Sequence, residues 1–425
     1  MNRYVRRVVD DEIDEIFDAV PALSIEGPRA VGKTTTALVR AATVYRLDER
    51  ATRLAIAADP ERILDGRRPI LIDEWQLVPD VWSVVRREVD RNPQPGQFVL
   101  TGSAIPREPP VHPGSGRIVS IRMRPMILSE RGGGPPTVHL RDLMSGRRPA
   151  LRGSTAVGQR EYATEILASG FPGLRGLSGR ALRAQLDGYV NRTIERDIRD
   201  LAVEEIRSPM AMRRWLQAYA SAVSQTVSYE KIRDAATPGH DEKPAKTTVL
   251  RYIEILERLW MIEPLPAWIP SSNRLSQYAQ APKHEMVDPA IAARLLGATA
   301  ETLLQGTATG PLVPRDGTLF GALFEALTAL EVRTCAQDVE ATVGHYRDRH
   351  GRHEADLVVE RADRRVLVIE VKLGRVISDE DVRHLAWLQR ELGDAVLDAI
   401  VISAGPEAYR RPDGIGVVPL ALFGT

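Results

Sequence analysis

A glycine-rich segment near the N-terminus has the residue types needed to hold a triphosphate. Residues 27–34 read Gly-Pro-Arg-Ala-Val-Gly-Lys-Thr, which has the spacing G-x-x-x-x-G-K-[ST]. Glycines let the backbone curl so that amide groups point at phosphate oxygens, Lys33 can reach the β- and γ-phosphates, and the Thr34 hydroxyl can ligate Mg²⁺. We therefore predict a site for ATP and Mg²⁺ whose contacting residues are Gly27, Pro28, Arg29, Ala30, Val31, Gly32, Lys33, Thr34 and Thr35.

Two acidic residues follow an apolar segment and would complete a hydrolytic site. The run 70–72, Ile-Leu-Ile, predicts a buried strand that delivers Asp73 and Glu74 to the edge of a parallel sheet, beside the glycine-rich loop. Asp73 is expected to support Mg²⁺, and Glu74 is expected to polarise the attacking water as general base. This pair favours hydrolysis over phosphoryl transfer to a metabolite, and the sequence has no Asn-Lys-x-Asp motif for reading guanine.

Further polar residues could contact the same phosphates. Thr101 and Ser103 end the next apolar segment, where they could sense the γ-phosphate or orient the water, although a helix cap or a turn would also explain them. Residues 105–152 hold nine arginines against three acids. Arg117 and Arg124 are the candidates for an arginine finger acting in trans, which makes a homo-oligomer plausible. The same stretch could instead contact nucleic-acid phosphates or form a solvated surface.

A second set of charged residues lies near the C-terminus. Asp356 enters one predicted strand, and Glu370 and Lys372 lie two apart on the next, so a hairpin can place the three side by side. Two carboxylates and a lysine in this arrangement can bind Mg²⁺ and orient a water for attack on a phosphodiester. Glu325, on a predicted helix upstream, could add a third acid. The predicted catalytic residues here are Asp356, Glu370 and Lys372, and the predicted metal ligands are Glu325, Asp356 and Glu370.

The balance between lysine and arginine adds weight to two of these positions. The chain has 57 lysines and arginines, of which six are lysines, at positions 33, 231, 243, 246, 283 and 372. A lysine that remains in such a chain can be one that arginine cannot replace, because a compact ammonium fits a tight backbone nest in which a planar guanidinium does not. This explains Lys33 and favours a chemical role for Lys372, while others of the six can be leftovers.

Bulk composition limits the class of protein. A chain of 425 residues with 43% hydrophobic and 27% charged residues predicts two to four domains of ordinary globular type. Basic and acidic residues balance at 57 each, so any nucleic-acid contact must come from local patches. A single cysteine, Cys335, excludes an internal disulfide framework, and no run of 18 apolar residues predicts a membrane span. We expect a cytoplasmic protein without a membrane partner.

The elements that must position these residues alternate between short strands and helices. Apolar segments at 21–25, 70–72 and 97–100 predict parallel strands, and a helix is predicted from Thr35 to Val44, directly after the glycine-rich loop. Farther along, the pattern predicts helices at 228–235, 246–260, 319–325 and 379–391, and strands at 353–359, 366–372 and 399–402.

Together the motifs resemble the prokaryotic ATPases that join an AAA-type domain to a C-terminal domain of unknown function. The blocks that carry the resemblance span nearly the whole chain, at residues 27–34, 71–76, 100–103, 122–126, 189–190, 195–198, 282–283, 288 and 369–372. The resemblance implies an AAA-like ATPase core, a winged-helix segment and a C-terminal fold like that of PD-(D/E)XK nucleases. This chain departs from the family at a long insertion, 237–244, and at Asp288-Pro289-Ala290.

The predicted fold class is therefore α/β with four parts. They are a P-loop NTPase domain of AAA-like type with a parallel sheet at 1–135, a helical lid or linker at 136–208, a winged-helix-like part at 209–300, and a restriction-endonuclease-like α/β domain at 301–425.

Two functions from different classes agree with these residues. The first is a Mg²⁺-dependent ATPase that acts on DNA or is regulated by DNA, branched DNA included, with a C-terminal DNase activity as an addition. The second is a nucleotide-dependent signalling or assembly switch, in which the nuclease-like part is an inert scaffold. The overall charge balance favours the switch, whereas the arginine-rich stretch and the Asp-Glu-x-Lys set favour DNA.

Overall fold

The computed structural model describes residues 4–103, 115–197, 208–237, 243–270, 280–305, 318–348 and 350–425. Its two main sheets each hold one of the predicted sites. The α-helices in the described part are Val8–Phe17, Lys33–Leu38, Arg50–Ala58, Asp80–Arg91, Leu140–Leu143, Gln159–Ala168, Gly179–Arg192, Pro209–Ser221, Tyr229–Ala235, Lys246–Arg258, Pro289–Leu295, Ala300–Gln305, Thr318–Asp338 and Asp379–Leu392.

The N-terminal sheet is parallel throughout and has the order β2-β3-β4-β1-β5. Its strands are β1 (Ala22–Glu26), β2 (Thr43–Arg46), β3 (Ile70–Asp73), β4 (Phe98–Gly102) and β5 (Ile118–Arg122). Because the carboxyl ends of parallel strands meet at one edge, the segments that follow β1, β3 and β4 lie next to each other. This edge is where the glycine-rich loop and both acids were predicted to meet.

Both faces of this sheet are covered, which explains its continuous apolar strands. Leu23, Ile25 and Leu71 belong to the large core shared with the rest of the chain. Their neighbours Ile70 and Ile72 point to the other face and pack in a separate core beneath the helix Asp80–Arg91. A strand that is buried on both faces has no polar side to alternate with, so it reads as an apolar run.

The helix predicted from Thr35 to Val44 is wrong in its extent. The helix covers only Lys33–Leu38, and β2 begins at Thr43. The residues Thr43-Val44-Tyr45 are β-branched or aromatic and pack well on a pleated surface. Pairing of β2 with β3 therefore outweighs the helical pattern in this segment.

The middle of the chain is helical and then forms short paired segments. The helices Pro209–Ser221, Tyr229–Ala235 and Lys246–Arg258 come first. Isolated bridges then join Ile262 to Met286 and Leu265 to Lys283 in antiparallel fashion. Three helices followed by such a pair agree with the order expected of a winged helix, which stays a prediction. Of the predicted insertion 237–244, residues 238–242 lie outside the described part.

The C-terminal sheet is mixed, with the order β11-β12-β10-β9-β8-β7. Neighbouring strands β7, β8 and β9 are antiparallel, whereas β9, β10 and β12 are parallel. The strands are β7 (Thr342–Arg347), β8 (Glu354–Glu360), β9 (Val366–Lys372), β10 (Val396–Ser403), β11 (Tyr409–Arg410) and β12 (Gly416–Pro419). The predicted hairpin is confirmed, and it aligns Leu357 with Ile369.

A helix covers each face of this sheet. The helix predicted at 319–325 is confirmed and extends over Thr318–Asp338, and it packs on the face that carries Leu357 and Ile369. The helix Asp379–Leu392 covers the other face through Val382, Leu385 and Leu388. The helical spacing of the sequence predicts Val382, Leu385, Leu388 and Leu392 as the inward positions, and Leu392 is partly buried against the same core.

Contacts along the whole chain join the two sheets. The helix Val8–Phe17 packs on the long helix Thr318–Asp338. Two short parallel strands, β6 (Val138–His139) and β13 (Phe423–Gly424), pair the last residues of the chain with a segment that follows the first sheet. No helix among the described residues has the length and apolar character that a membrane span requires.

Candidate functional site

The glycine-rich loop links β1 to the helix Lys33–Leu38 in a conformation that depends on its glycines. Ala30 and Gly32 have φ values of 63° and 112°. Gly27 has a φ of 150°, and a Cβ at this position would lie 2.2 Å from the carbonyl oxygen of Met123, the residue after β5. The first glycine is therefore required because the loop is pressed against the adjacent strand, and not only because of the turn.

The Lys33 ammonium is buried inside this loop. Its Nζ donates hydrogen bonds to the carbonyl oxygens of Gly27, at 2.9 Å, and Pro28, at 2.8 Å. Burial lowers the pKa of Lys33 to about 8, although the nearby carboxylates of Glu74 and Asp73 act in the opposite direction. A buried cation that is held by neutral carbonyls is well placed to receive an anion.

Asp73 connects the loop to the neighbouring strands. Its Oδ1 accepts hydrogen bonds from Thr34 Oγ1, at 2.7 Å, and from Thr101 Oγ1, at 2.5 Å. The three residues come from the loop helix, from β3 and from β4. The structure therefore brings together the hydroxyl and the carboxylate that were predicted to hold Mg²⁺.

Glu74 follows β3 in the left-handed backbone conformation, with a φ of 57°. Its Oε2 accepts a hydrogen bond of 3.0 Å from Ser103 Oγ and another from Gln76 Nε2. Non-glycine residues rarely adopt this backbone, and such residues often cluster at functional sites. Sequence reasoning did not assign Gln76 to the site, although its position two residues after Glu74 was a signal.

The residues of this site fit a nucleotide and Mg²⁺. The fit rests on the buried Lys33 ammonium, on the Thr34–Asp73 contact and on a loop whose backbone requires glycine. Thr35 and Arg29 are exposed beside the loop. Oxygen ligands such as a threonine hydroxyl and a carboxylate are those that Mg²⁺ prefers.

The two candidate arginine fingers differ in their surroundings. Arg117 is about half exposed and forms an ion pair of 2.8 Å with Asp90. Arg124 is mostly buried, with Nη2 at 2.8 Å from Glu263 Oε1 and Nη1 at 2.6 Å from Gln337 Oε1. In this arrangement Arg124 joins parts of its own chain.

Arg7 is a buried residue that sequence reasoning missed. Its guanidinium donates hydrogen bonds to the carbonyls of Val31, at 3.2 Å, and Arg124, at 2.8 Å, and forms an ion pair of 2.8 Å with Glu130. Arg7 thus links the loop to the segment after β5. Nothing in the local sequence distinguishes it, because its partners lie far along the chain.

The second predicted site also comes together. Asp356 lies on β8, and Glu370 and Lys372 lie on β9, with Lys372 Nζ 2.7 Å from Glu370 Oε1. Glu325 reaches the group from the helix Thr318–Asp338. A further lysine, Lys283, lies between two of the acids, with Nζ at 2.6 Å from Glu325 Oε1 and 2.9 Å from Asp356 Oδ1.

The protonation of this cluster depends on burial and on Lys283. Burial and the neighbouring Asp356 raise the pKa of Glu370 to about 8, and burial raises the pKa of Glu325 well above its usual range. Although burial opposes it, the Lys283 ammonium lowers the pKa of Asp356. The cluster therefore already contains the cation that offsets its acids.

As arranged here, these acids do not fit a bound metal ion. Within the ranges that the structure describes, no three His, Cys, Asp or Glu side chains are placed to hold one. The position between Glu325 and Asp356 is taken by the Lys283 ammonium. The rarity of lysine in this chain was the signal that could have identified Lys283.

Three family models match successive parts of the chain. Residues 20–131 match an AAA domain, residues 159–302 match a domain of unknown function, DUF8612, and residues 320–423 match another, DUF4143. The acids of the second cluster lie in the third match, whereas Lys283 lies in the second.

Similar proteins include uncharacterized proteins of Mycobacterium bovis and Mycobacterium tuberculosis. Each is 28% identical over 302 residues, which is 69% of this chain and 60% of the relative, so the match spans less than two thirds of these curated relatives. A solved structure, a signal transduction ATPase with numerous domains and a tetratricopeptide repeat sensor from Pyrococcus horikoshii, is 12% identical and covers 80% of this chain and 50% of that one. Its TM-score of 0.25 is too low to support a shared fold. The family match supports an AAA-type, nucleotide-binding ATPase domain in the N-terminal part of the chain.

Proposed function

We propose that this chain is a Mg²⁺-dependent ATPase whose nucleotide site is the edge of the first sheet. One observation carries the proposal: Asp73 Oδ1 accepts hydrogen bonds from both Thr34 Oγ1 and Thr101 Oγ1, next to the buried Lys33 ammonium. A phosphate-binding loop, a hydroxyl and a strand-end carboxylate are thereby within reach of one triphosphate. When bound, Mg²⁺ would neutralise negative charge on the phosphate oxygens.

The side chains at this edge divide the work of hydrolysis. Lys33 would exchange its bonds to the loop carbonyls for bonds to phosphate oxygens, and Thr34 and Asp73 would hold the metal. Glu74 would accept the proton of the attacking water. Because Ser103 and Gln76 both donate to Glu74 Oε2, the Oε1 atom is the one left to receive this proton.

The nucleotide state has a short path to the rest of the molecule, which supports a switch. Arg122 ends β5, beside the loop, and its Nη2 lies 2.9 Å from Glu263 Oε2. Arg124 contacts the same carboxylate and also Gln337 on the long C-terminal helix. Met123 lies against Gly27 and between these two arginines. A shift of the loop would therefore be transmitted to both later parts of the chain. Arg117 remains the candidate finger for a neighbouring copy.

Action on DNA is the second candidate function. Asp356, Glu370 and Lys372 lie together on adjoining strands, as a phosphodiesterase site would require. Cleavage of DNA by these residues would require Lys283 to leave the cluster, since it contacts two of the acids. We therefore place ATP hydrolysis first and DNA cleavage second.

The test is ATP hydrolysis by the full chain, with Mg²⁺ or with EDTA, and with no DNA or with single-stranded, duplex or branched DNA. DNA integrity is read in the same tubes. We expect hydrolysis that EDTA stops and that Asp73→Asn reduces strongly. Stimulation by one DNA form would identify DNA as the partner, whereas equal rates and intact DNA throughout would favour the switch. Hydrolysis that is undiminished in Asp73→Asn would contradict the proposed site.

A further inference from the structure

The acids of the C-terminal sheet and the lysine that contacts them come from different parts of the fold. We call Glu325, Asp356 and Glu370 the acidic cluster. Glu325 lies on the helix Thr318–Asp338, and the other two lie on β8 and β9. Lys283 belongs to the middle part and reaches across with its Nζ, which lies 2.6 Å from Glu325 Oε1 and 2.9 Å from Asp356 Oδ1.

The backbone around Lys283 is fixed by the middle part. Lys283 exchanges hydrogen bonds with Leu265, with the two N···O distances at 2.9 and 3.0 Å. The next residue, His284, bonds through its carbonyl to Ser224 N at 2.8 Å and through its N to the carbonyl of Gln225 at 3.0 Å. The side chain of Lys283 is only 12% exposed. The backbone of Lys283 is therefore fixed by hydrogen bonds to the middle part, and its buried side chain holds the ammonium in the acidic cluster.

Most of the carboxylate oxygens in the acidic cluster already have a donor. Lys283 Nζ donates hydrogen bonds to one oxygen of Glu325 and to one oxygen of Asp356. Val371 N donates to the other Asp356 oxygen at 2.9 Å, and Lys372 takes Glu370 Oε1 at 2.7 Å. Glu370 Oε2 is buried without a hydrogen-bond partner. A divalent cation here would have to displace these donors and sit beside two ammonium groups, against Coulomb repulsion.

We propose that Lys283 is an internal counter-ion that occupies the place of a divalent cation in the acidic cluster and keeps this cluster free of metal. The middle part of the chain thereby prevents the C-terminal part from binding a divalent cation at the acidic cluster. Lys283 is matched to one domain family and the acids to another, so a movement between these two parts would withdraw the ammonium. Without it, Glu325 and Asp356 would be left as a buried pair of acids that a divalent cation can neutralise.

Solvent has a route to this position. A cavity of about 420 Å³ opens onto Lys283, Glu325 and Asp356, and its wall also includes Lys231 and Arg347. A small cation can therefore enter when the ammonium is removed. Lys231 lines the same cavity, is exposed and has no bond to the acidic cluster among its described contacts, so it serves as a matched control.

The experiment measures Mn²⁺ binding by the full chain without nucleotide, using the electron paramagnetic resonance signal of free Mn²⁺. The proteins are the wild type, Asp356→Asn, Lys283→Met, Lys231→Met and the double variant Lys283→Met with Asp356→Asn. We expect the wild type, Asp356→Asn and Lys231→Met to bind alike. Lys283→Met should gain a site that binds Mn²⁺ at least about tenfold more tightly than the wild type does. The double variant, which adds Asp356→Asn, should lose this site. This readout does not depend on ATP hydrolysis, so it can fail separately from the proposed function.

Two results would overturn the proposal. One is a Mn²⁺ site in the wild type that Asp356→Asn removes, since metal and ammonium would then share the acidic cluster. The other is a Lys283→Met protein that unfolds cooperatively, as followed by circular dichroism, yet gains no site. If Lys283→Met does not fold, the comparison of the wild type with Asp356→Asn still tests the first of these two results.

Discussion

At the nucleotide site, single atoms of the acids have defined partners, and this limits which atoms can react. Glu74 is held at Oε2 by Ser103 and Gln76, and Asp73 is held at Oδ1 by two threonine hydroxyls. The two neighbouring carboxylates therefore differ in their partners, which agrees with the tasks proposed for them: Asp73 would hold the metal, and Glu74 would keep one oxygen for a proton. Their environments, rather than their residue type, separate the two roles.

The residue-scale prediction concerns Glu74. Glu74→Gln should keep ATP binding, because Lys33 and Thr34 are unchanged, but should lower the rate of hydrolysis by roughly 10²- to 10⁴-fold, the usual contribution of a general base. Phosphate release and the binding of a fluorescent ATP analogue measure the two effects separately. Glu88→Gln is the control, since Glu88 pairs with Arg68 on the same domain away from the loop. Undiminished turnover in Glu74→Gln would rule out this role.

At the scale of elements, the glycine-rich loop depends on its contact with the segment after β5. Met123 N donates to Glu26 O at 2.7 Å, and the Met123 carbonyl lies where a Gly27 side chain would be. The segment after β5 therefore supports the loop of the proposed nucleotide site, although strand β5 contributes no predicted ligand for phosphate. The same strand ends in Arg122, so the element that supports the loop also leads to the later domains.

Gly27→Ala tests this contact. The added Cβ would lie 2.2 Å from the Met123 carbonyl oxygen, so the loop or the strand end must move. We expect the free energy of unfolding to fall by about 1–3 kcal/mol and ATP binding to weaken. Urea unfolding and nucleotide titration are the measurements.

The matched control for Gly27→Ala is Gly321→Ala, in the helix Thr318–Asp338. A Cβ at Gly321 meets no atom within 4 Å, and alanine favours the helix by about 0.5–1 kcal/mol. This variant should therefore be slightly more stable than the wild type, with unchanged ATP binding. Equal stability of Gly27→Ala and the wild type would show that the loop tolerates a side chain there.

At the scale of the whole molecule, three parts of the chain converge on one carboxylate. Glu263 in the middle part is contacted by Arg122 and Arg124, at the end of the first sheet, and by Arg333 on the long C-terminal helix. Although burial opposes it, these arginines hold the pKa of Glu263 far below its usual range. The group lines a cavity of about 730 Å³ where the three parts meet.

Glu263→Gln should destabilise the protein strongly, because three guanidinium groups would lose their shared counter-charge. Removing one partner of a buried ion pair costs about 3–5 kcal/mol. The contribution should be present at neutral pH and should decline as the pH falls below 4.5, the ordinary pKa of the group, because the unfolded chain then takes up the proton first. Urea unfolding of both proteins from pH 7 down to pH 4 measures this.

The control for Glu263→Gln is Asp90→Asn, which removes the exposed partner of Arg117. Exposed pairs contribute little, so the unfolding midpoint should stay near that of the wild type. A Glu263→Gln protein as stable as the Asp90→Asn protein would contradict the structural role of the carboxylate.

The sequence by itself determined the parts of the protein that depend on neighbours along the chain. The loop 27–34 is one continuous motif, and its chemistry follows from residue types at fixed spacing. The strand that ends in Asp73 and the hairpin that carries Asp356 and Glu370 also follow from short apolar runs, and the helix Asp379–Leu392 follows from the helical period of 3.6 residues. The extent of the helix after the loop did not, because pairing of Thr43–Arg46 with β3 is a tertiary effect.

Only the tertiary structure decided which charges meet. Lys283 and Glu325 are 42 positions apart, and Arg124 and Glu263 are 139 apart, so no local pattern records either pair. In the folded chain Arg124, a candidate arginine finger, contacts Glu263 in the middle part, and a second lysine lies in a cluster that was predicted to hold metal. The physical reason is that a buried charge is unfavourable unless it is paired. Which partner is within reach of each charge depends on how the sheets and helices pack.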